Sequence, residues 1–185
     1  SPSWQNLMEG EVVKTYLQQL LEYGVAAEDI GVITPYHKQS QRLKNICSGL
    51  KAQGTIEVGT TELFQGREKR VIVISTVRSR KEDEIQNDLR FSLGFLGNYK
   101  RTNVALSRAK SLLIVVGNLS LLSHDATWHD AIKLAKEMGA LRGDLATFKM
   151  RQAQMGDGSQ WGQGHVTQAP EAADGVVDRP WREHL

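Results

Sequence analysis

The sequence is poor in several features that mark common classes of protein. It has one cysteine, Cys47, in 185 residues, so no disulfide can form within the chain and a reducing compartment is expected. Cys47 lies on an apolar helix face, which favours a core residue over a nucleophile. No apolar run approaches the ~20 residues that a membrane-spanning helix needs. The first residues lack an initiator Met and any secretory signal, so we expect a piece of a longer protein.

Two phosphate-binding signatures and a metal-binding cluster are missing as well. The pattern G-x-x-x-x-G-K-[ST] occurs nowhere, and no G-x-G-x-x-G follows the first predicted strand. His124 and His129 are too isolated for a metal site, and no Cys/His cluster supports one. These absences exclude a self-contained phosphate loop and argue against a small Rossmann-type enzyme.

The charge of the chain is small but unevenly distributed, with a formal net charge of +2. Residues 151–185 hold three Lys/Arg and five Asp/Glu, whereas the first 150 residues hold 20 basic and 16 acidic residues. The basic excess in the larger part indicates an anionic partner, although a solvated basic face would give the same count.

Helical and strand-like patterns alternate along residues 8–138. Apolar spacings of three and four residues predict helices, and short apolar runs bounded by Gly or Pro predict strands. The predicted helices cover about 8–23, 37–50, 100–110 and 128–138, and the predicted strands cover 29–34, 55–58, 70–77 and 111–116. This alternation implies an α/β fold with a mainly parallel sheet covered on both sides. The last strand is apolar throughout, so we expect it to be central and buried on both faces.

One stretch, residues 58–78, joins two predicted strands through a polar loop. The loop holds hydroxyls, an amide, a glycine and an acidic residue: Thr60, Thr61, Gln65, Gly66 and Glu68. In parallel sheets ligands gather at the carboxyl ends of the strands. Three such ends, at 34–36, 59–61 and 75–78, carry polar residues, so we predict a shared site there.

The alternating pattern stops near Lys149. Residues 151–185 contain five Gly and five Gln with almost no aliphatic clusters, which predicts disorder. We therefore divide the chain into a folded domain at 1–148 and a low-complexity tail at 149–185. Within that tail, Trp161 and Gly162 could form a short tryptophan-glycine peptide of the kind that Argonaute pockets accept, or Trp161 could be a lone aromatic residue.

Four segments resemble motifs of superfamily 1 helicases. Residues 33–39 (ITPYHKQ) resemble motif IV, residues 64–69 (FQGREK) motif V, residues 74–79 (ISTVRS) motif Va and residues 103–110 (NVALSRAK) motif VI. The motifs come in the family's order and spacing, and the resemblance is strongest to the up-frameshift-like RNA helicases. Three further segments narrow it to the Moloney-leukaemia-virus-10-like, or Armitage-type, group: residues 1–4 (SPSW), 93–98 (LGFLGN) and 116–125 (VGNLSLLSHD).

The resemblance implies the second RecA-like domain (P-loop NTPase-type, three layers) of a two-domain motor. The N-terminal RecA-like domain of the same protein would hold ATP and Mg²⁺, so this chain alone is not expected to hydrolyse ATP. The implied whole protein is an ATP-dependent 5′–3′ RNA helicase that binds single-stranded RNA in RNA silencing or mRNA decay. It would work in the cytoplasm or in ribonucleoprotein granules, not in a membrane, with Argonaute-type silencing proteins among its partners.

The resemblance also implies which residues face the nucleotide. Arg108 matches the motif VI arginine finger, which would neutralise charge on the γ-phosphate in the transition state. Gly66 would let backbone approach phosphate, Glu68 would accept a hydrogen bond from a ribose hydroxyl, and Gln65 would position groups at the same cleft. The alternatives are an Arg108 in a salt bridge on a helix surface, and a Glu68 paired with the basic residue on either side of it.

A second set of residues is implied to bind RNA: Thr34, Pro35, Tyr36, Thr60, Thr61, Arg78 and Asn103. Hydroxyls and backbone N–H groups contact phosphates without reading bases, which suits a motor that steps along any sequence. Tyr36 could stack on a base or ribose, or pack under the edge of the sheet.

One position departs from the up-frameshift pattern. Those proteins carry an Asn-Arg pair before the first helix, whose arginine also approaches the nucleotide, and here the pair is Asn6-Leu7. The Armitage-type group also tends to lack this arginine. Arg108 is then the one arginine that the resemblance assigns to the phosphate.

Two other functions fit parts of the same pattern. The fold could be kept as an RNA- or protein-binding clamp without motor activity, but a clamp does not need the nucleotide-facing set. A DNA helicase of the same superfamily would share the phosphate contacts, and no residue that recognises the 2′-hydroxyl of RNA is identifiable.

Overall fold

Four parallel strands organise the part of the chain that the structure, a computed structural model, describes: residues 4–77 and 99–143. In chain order the helices and strands are α1 (Leu7–Glu22), a 3-10 turn (Ala27–Asp29), β1 (Ile30–Ile33), α2 (His37–Ser48), β2 (Glu57–Gly59), β3 (Lys69–Ser75), α3 (Tyr99–Leu106), β4 (Ala109–Val116), the one-turn α4 (Leu119–Leu122) and α5 (Ala126–Glu137). The strands lie in the order β2-β1-β3-β4, with every neighbouring pair parallel. The predicted α/β, RecA-like class is confirmed.

Helices cover both faces of this sheet. One core cluster packs α1 and α2 on β1, β2 and β3, through residues such as Val13, Leu43 and Val73. A second cluster on the opposite face joins α3, α4 and α5 to the sheet through Ala105 and Trp128. The connection from β1 to β2 and the connection from β3 to β4 run in opposite directions across the sheet. Right-handed crossovers therefore place their helices on opposite faces and give three layers.

Helix α1 begins and ends where the sequence predicts, within one residue. The Asn6 side chain accepts a hydrogen bond from the Glu9 N–H at 3.0 Å, which satisfies one of the unpaired donors of the first turn. The apolar face ends at Leu20, and Gly24 follows at φ +83°, a conformation that glycine adopts without strain at a helix C-terminus.

Two expectations about the last strand are wrong. The helix predicted over 100–110 ends at Leu106, and β4 begins two residues earlier than expected, at Ala109. The strand is also not central: among the described residues it is the outer strand of the sheet, and Leu112 is 44% exposed. An unbroken apolar run cannot distinguish an inner from an outer parallel strand, because both positions carry similar side chains.

Cys47 packs against the α1–α2 core cluster. Burial raises the pKa of its thiol to about 11, so the thiol stays protonated near neutral pH and is a weak nucleophile. Among the described helices, none has both the length and the apolarity to cross a membrane.

Candidate functional site

The predicted site residues lie at two opposite edges of the sheet. Because all four strands are parallel, their amino ends share one edge and their carboxyl ends the other. The residues at 34–36 and 60–61 follow carboxyl ends, whereas Glu68 precedes β3 and Arg108 precedes β4. A strand of seven residues such as β3 separates the two edges by roughly 20 Å. The loop at 60–68 therefore crosses from one edge to the other.

Arg108 lies in the short turn between α3 and β4 and not on the helix itself. Its backbone carbonyl accepts a hydrogen bond from the Lys69 N–H at 3.1 Å. This bond holds the end of the 60–68 loop beside Arg108, so the structure brings Gly66 and Glu68 to the same edge as the arginine. Two distant segments of sequence meet there.

The guanidinium of Arg108 has few partners within the described residues. Its Nη2 donates to the Ser107 hydroxyl at 3.4 Å, and its Nε is buried without a hydrogen-bond partner. No described carboxylate forms a salt bridge with it. A buried N–H donor without an acceptor is costly unless a ligand supplies the acceptor. The alternative of a salt-bridged surface arginine has no support in the described part of the chain.

Glu68 is exposed, and its carboxylate pairs with a different residue from the two that the sequence suggests. Its carboxylate lies 3.6 Å from the Lys110 ammonium. The two basic neighbours, Arg67 and Lys69, instead bind Glu57 of β2, with 3.2 Å between the Lys69 Nζ and the Glu57 Oε2. Exposed ion pairs are weak and exchange readily, so Glu68 can turn from Lys110 to another group.

Gly66 is the one residue of the loop whose backbone requires glycine. It adopts φ +76°, and a Cβ added there would meet nothing within 4 Å. The open space lets a ligand approach the backbone, and the left-handed conformation disfavours other L-residues by about 1–2 kcal/mol. The neighbouring Gln65 is exposed. Within the described ranges no three His, Cys, Asp or Glu side chains could hold a metal ion together.

Glu57 fastens the end of the loop electrostatically. Partial burial alone would raise the pKa of its carboxyl group, but hydrogen bonds and charge from Arg67 and Lys69 outweigh it and lower the pKa below the ordinary 4.5. A lowered pKa in the folded state means that the pair stabilises the fold above about pH 4.5. This stabilisation is lost as the pH falls through the folded-state pKa.

We therefore expect Glu57→Gln to lower the free energy of unfolding at pH 7 by about 1 kcal/mol or less, the range for exposed ion pairs. The difference from wild type should shrink steadily below pH 4.5. Urea unfolding of both proteins between pH 3 and 7 measures it. Glu11→Gln is the control, because Glu11 is exposed and its carboxylate pairs only with Lys14 and Arg42 among the described residues. A difference that stayed constant over this range would contradict the assignment.

At the carboxyl edge the predicted RNA-binding residues differ in how accessible they are. Thr34 and Thr61 are buried, and their hydroxyls lack a partner among the described residues. The Thr34 N–H is already donated to the Gly59 carbonyl at 3.1 Å. Pro35, Tyr36 and Thr60 are half-buried and reach solvent. Of this predicted set, Pro35, Tyr36 and Thr60 are therefore the described residues that a ligand can reach at this edge, whereas Thr34 and Thr61 are buried.

Of the two remaining residues of the set, only Asn103 lies within the described ranges. Asn103 is exposed on α3, and its carbonyl accepts a hydrogen bond from the Ser107 N–H at 3.1 Å. It lies one helical turn before the turn that carries Arg108. Arg78 lies outside the described residues, as does the tail at 149–185.

The sequence analysis missed a group of buried polar residues at the carboxyl edge. Glu9, Gln39 and Ser75 are each at most 3% exposed and are joined by hydrogen bonds. Glu9 stands three residues after the N-cap Asn6, a spacing that predicts a carboxylate turned back to the N-cap N–H. That N–H is bound by the Gln39 Oε1 instead, which leaves the Glu9 carboxylate to reach across to β3.

Comparisons with known proteins agree with this geometry. A family model described as an AAA domain matches residues 1–120. The chain is 46% identical over 157 positions to "Putative helicase MOV-10" of Gallus gallus, which covers 77% of this chain and 16% of that protein. It is 41% identical over 153 positions to "Probable RNA helicase armi" of Drosophila melanogaster, which covers 82% of this chain and 13% of that protein.

A third relative is "RNA helicase Mov10l1" of Homo sapiens, 48% identical over 128 positions that cover 68% of this chain and 10% of that protein. The chain thus spans about a sixth or less of the length of these relatives. Taken together with the parallel sheet and the four motifs, the matches show that the chain belongs to the MOV-10-like group of superfamily 1 helicases and corresponds to their C-terminal RecA-like domain.

Proposed function

We propose that the chain is the second motor domain of an ATP-dependent RNA helicase. It would complete the ATP site at the amino edge of its sheet and bind single-stranded RNA at the carboxyl edge. The observation that carries the proposal is the arginine at the amino edge: Arg108 has no described carboxylate partner, its Nε is buried without an acceptor, and a backbone hydrogen bond holds it beside the Gly66 loop. Such an arginine suits an anionic ligand.

The residues of the amino edge fit one wall of a nucleotide site. Arg108 would bind the γ-phosphate oxygens, the open backbone at Gly66 would accommodate phosphate, and Glu68 would turn from Lys110 to a ribose hydroxyl. Gln65 would orient groups beside them. ATP with Mg²⁺, when bound, supplies the phosphoryl-transfer chemistry, and the N-terminal RecA-like domain would hold most of both. Arg108 would then concentrate positive charge where negative charge develops.

The carboxyl edge would bind the RNA backbone. Tyr36 and Thr60 are half-buried, and aromatic rings and hydroxyls stack on bases and bond phosphates without selecting a sequence. Thr34, Pro35 and Thr61 would set the shape of this surface. Asn103 would act nearer the nucleotide edge than the other members of the set. Arg78 remains a proposed phosphate contact.

The separation of the two edges suggests how the domain would transmit motion. The loop at 60–68 begins beside the proposed RNA surface and ends beside Arg108. Closure of the cleft on ATP and its reopening after hydrolysis would shift the RNA surface relative to the N-terminal domain, a hinge-type change between two states. The same proposal includes movement 5′ to 3′ and work in the cytoplasm or in ribonucleoprotein granules. It also includes Argonaute-type partners in RNA silencing or mRNA decay, and the tail with its Trp161.

Unwinding of matched substrates tests the proposal. The full-length protein should unwind an RNA duplex with a 5′ single-stranded overhang in the presence of ATP and Mg²⁺, and should fail on the same duplex with a 3′ overhang. A DNA duplex of identical sequence is the control for the competing DNA-helicase function. Preference for DNA, or unwinding from the 3′ overhang, would contradict the proposal. RNA binding without any unwinding would favour a binding domain that has no motor activity.

A further inference from the structure

A buried carboxylate lies at the carboxyl end of β3, between α1 and the sheet. The Glu9 side chain comes from the first turn of α1 and is 3% exposed. Its Oε2 accepts hydrogen bonds from the Ser75 hydroxyl at 2.7 Å and from the Val77 N–H at 2.8 Å. A single carboxylate oxygen thus fixes two residues at the point where the chain leaves β3.

Val77 has the most unusual backbone in the described part of the chain. It adopts φ +68°, and no other described residue except glycine has a positive φ. A β-branched side chain in this region is a genuine outlier. Such a conformation persists only where the surroundings over-determine it.

Two hydrogen bonds hold Val77, one at its N–H and one at its carbonyl. Glu9 accepts from the Val77 N–H, and the Asn6 Nδ2 donates to the Val77 carbonyl at 3.3 Å. Asn6 and Glu9 stand one turn apart at the start of α1, so the rigid first turn of a helix holds Val77. We call Asn6, Glu9 and Val77 the clamp.

Gln39 ties the clamp to the neighbouring loop. Its Nε2 donates to the Ser75 hydroxyl and to the Asn6 carbonyl, each at 3.1 Å, and its Oε1 accepts from the Asn6 N–H at 3.0 Å. Gln39 belongs to the first turn of α2, directly after the proposed RNA-binding residues 34–36. One buried network therefore joins the chain that leaves β1 to the chain that leaves β3.

We propose that Glu9 is a positioning residue for RNA binding: by holding Val77 in the left-handed conformation, it sets the direction in which the chain leaves β3 beside the loop that carries Tyr36. The inference rests on the proposed function, because Tyr36 belongs to the proposed RNA surface. A buried carboxylate is rarely the most stable way to fill a space between a helix and a sheet, since apolar replacements of similar volume often match it. A buried carboxylate at this place therefore suits a residue that fixes the backbone conformation at Val77.

The loss of RNA affinity expected on removing Glu9 follows from the conformational preference of Val77. Without the clamp, an L-residue other than glycine populates the left-handed region at roughly a tenth or less. An affinity that requires this conformation falls by the same factor. Glu9→Ala in the full-length protein should therefore weaken binding of a fluorescent oligo-uridine RNA roughly tenfold. The KM for ATP should stay unchanged, because Glu9 lies at the edge of the sheet opposite Arg108.

Two variants separate positioning from general damage to the fold. Glu11→Ala removes the same type of side chain from an exposed position of the same helix and should leave RNA affinity at the wild-type value. Val77→Gly in the Glu9→Ala background should restore the affinity to within about threefold of wild type, because glycine enters the left-handed region about as readily as the right-handed one. Loss of structure alone would not be rescued by deleting a further buried side chain. If Glu9→Ala fails to fold, Glu9→Gln replaces it in both the single and the double variant. The single variant Glu9→Gln should then bind RNA at least threefold more weakly than wild type.

The outcomes are distinct. A folded Glu9→Ala with wild-type RNA affinity, or a loss that Val77→Gly does not reverse, would overturn the clamp as a positioning device. Failure of the proposed function is recognised separately, because the wild-type protein itself would then show no RNA binding. Hydrogen exchange of the Val77 amide reads the clamp without RNA: it should be slow in wild type and at least tenfold faster in Glu9→Ala, and equal rates would overturn the clamp.

Discussion

Replacing Arg108 with alanine in the full-length protein is expected to reduce ATP turnover by about 10³–10⁵, the range for the loss of an arginine finger. Arg108 is half-buried, and among the described residues its guanidinium makes one hydrogen bond, to Ser107, and no salt bridge. Its removal should therefore leave the thermal midpoint of unfolding within a few degrees of wild type. Affinity for single-stranded RNA should be unchanged, because the proposed RNA surface lies at the other edge of the sheet. Single-turnover hydrolysis of ATP under saturating RNA measures the effect.

Two matched variants make the result specific to Arg108. Arg101→Ala removes a guanidinium from the same helix–turn unit, where it is exposed and bonded to Glu62 at 3.2 Å, and turnover should stay within about twofold of wild type. Arg108→Lys keeps the charge but loses the planar fork that binds two phosphate oxygens, so most of the loss should remain. Near-wild-type turnover in Arg108→Ala would refute the finger, and an equal loss in Arg101→Ala would indicate a general electrostatic effect.

Much of the fold could be predicted from local sequence patterns. Helix α1 has apolar spacing, an N-cap Asn6 and a C-terminal Gly24, all of which act within a few residues of sequence, and its bounds were predicted to within one residue. The parallel sheet followed from the alternation of elements. The outer position of β4 among the described strands could not be predicted, because the place of a strand in a sheet depends on partners far away in the chain.

The site was predictable only in part, for a related reason. Motif resemblance assigned Gly66 and Arg108 to one ligand, and the structure brings them to one edge through the Lys69–Arg108 backbone bond. The burial of Thr34 was not foreseen, because a threonine at the end of a strand looks the same in sequence whether its hydroxyl faces water or the core. Glu9 was missed because its partners, Ser75 and Val77, lie 66 and 68 residues away.

The second large effect is expected at Phe64, the anchor of the 60–68 loop. Phe64 is fully buried within the second core cluster, while the residues from 65 to 68 are exposed. Its ring lies against β1 at Gly31, where an added Cβ would stand 2.7 Å from the Phe64 Cε1. Phe64→Ala should reduce the free energy of unfolding by about 3–5 kcal/mol, through lost burial and the cavity left behind. That is a large fraction of the 5–15 kcal/mol typical of a domain, and urea unfolding of the chain measures it.

Gly31 provides the internal control for this packing. Gly31→Ala in the wild-type background should destabilise the chain, because the new methyl group overlaps the Phe64 ring and the Ile72 Cδ1, which would lie 2.8 Å away. In the Phe64→Ala background the same change should cost less, since the overlap with the Phe64 ring is gone and only the close contacts with the Ile72 and Lys69 side chains remain. The two costs are therefore non-additive by at least about 0.5 kcal/mol, as expected of residues in contact. Strict additivity would show that Phe64 does not pack on β1, and the loop would then lack the anchor that sets Gly66 and Glu68 beside Arg108.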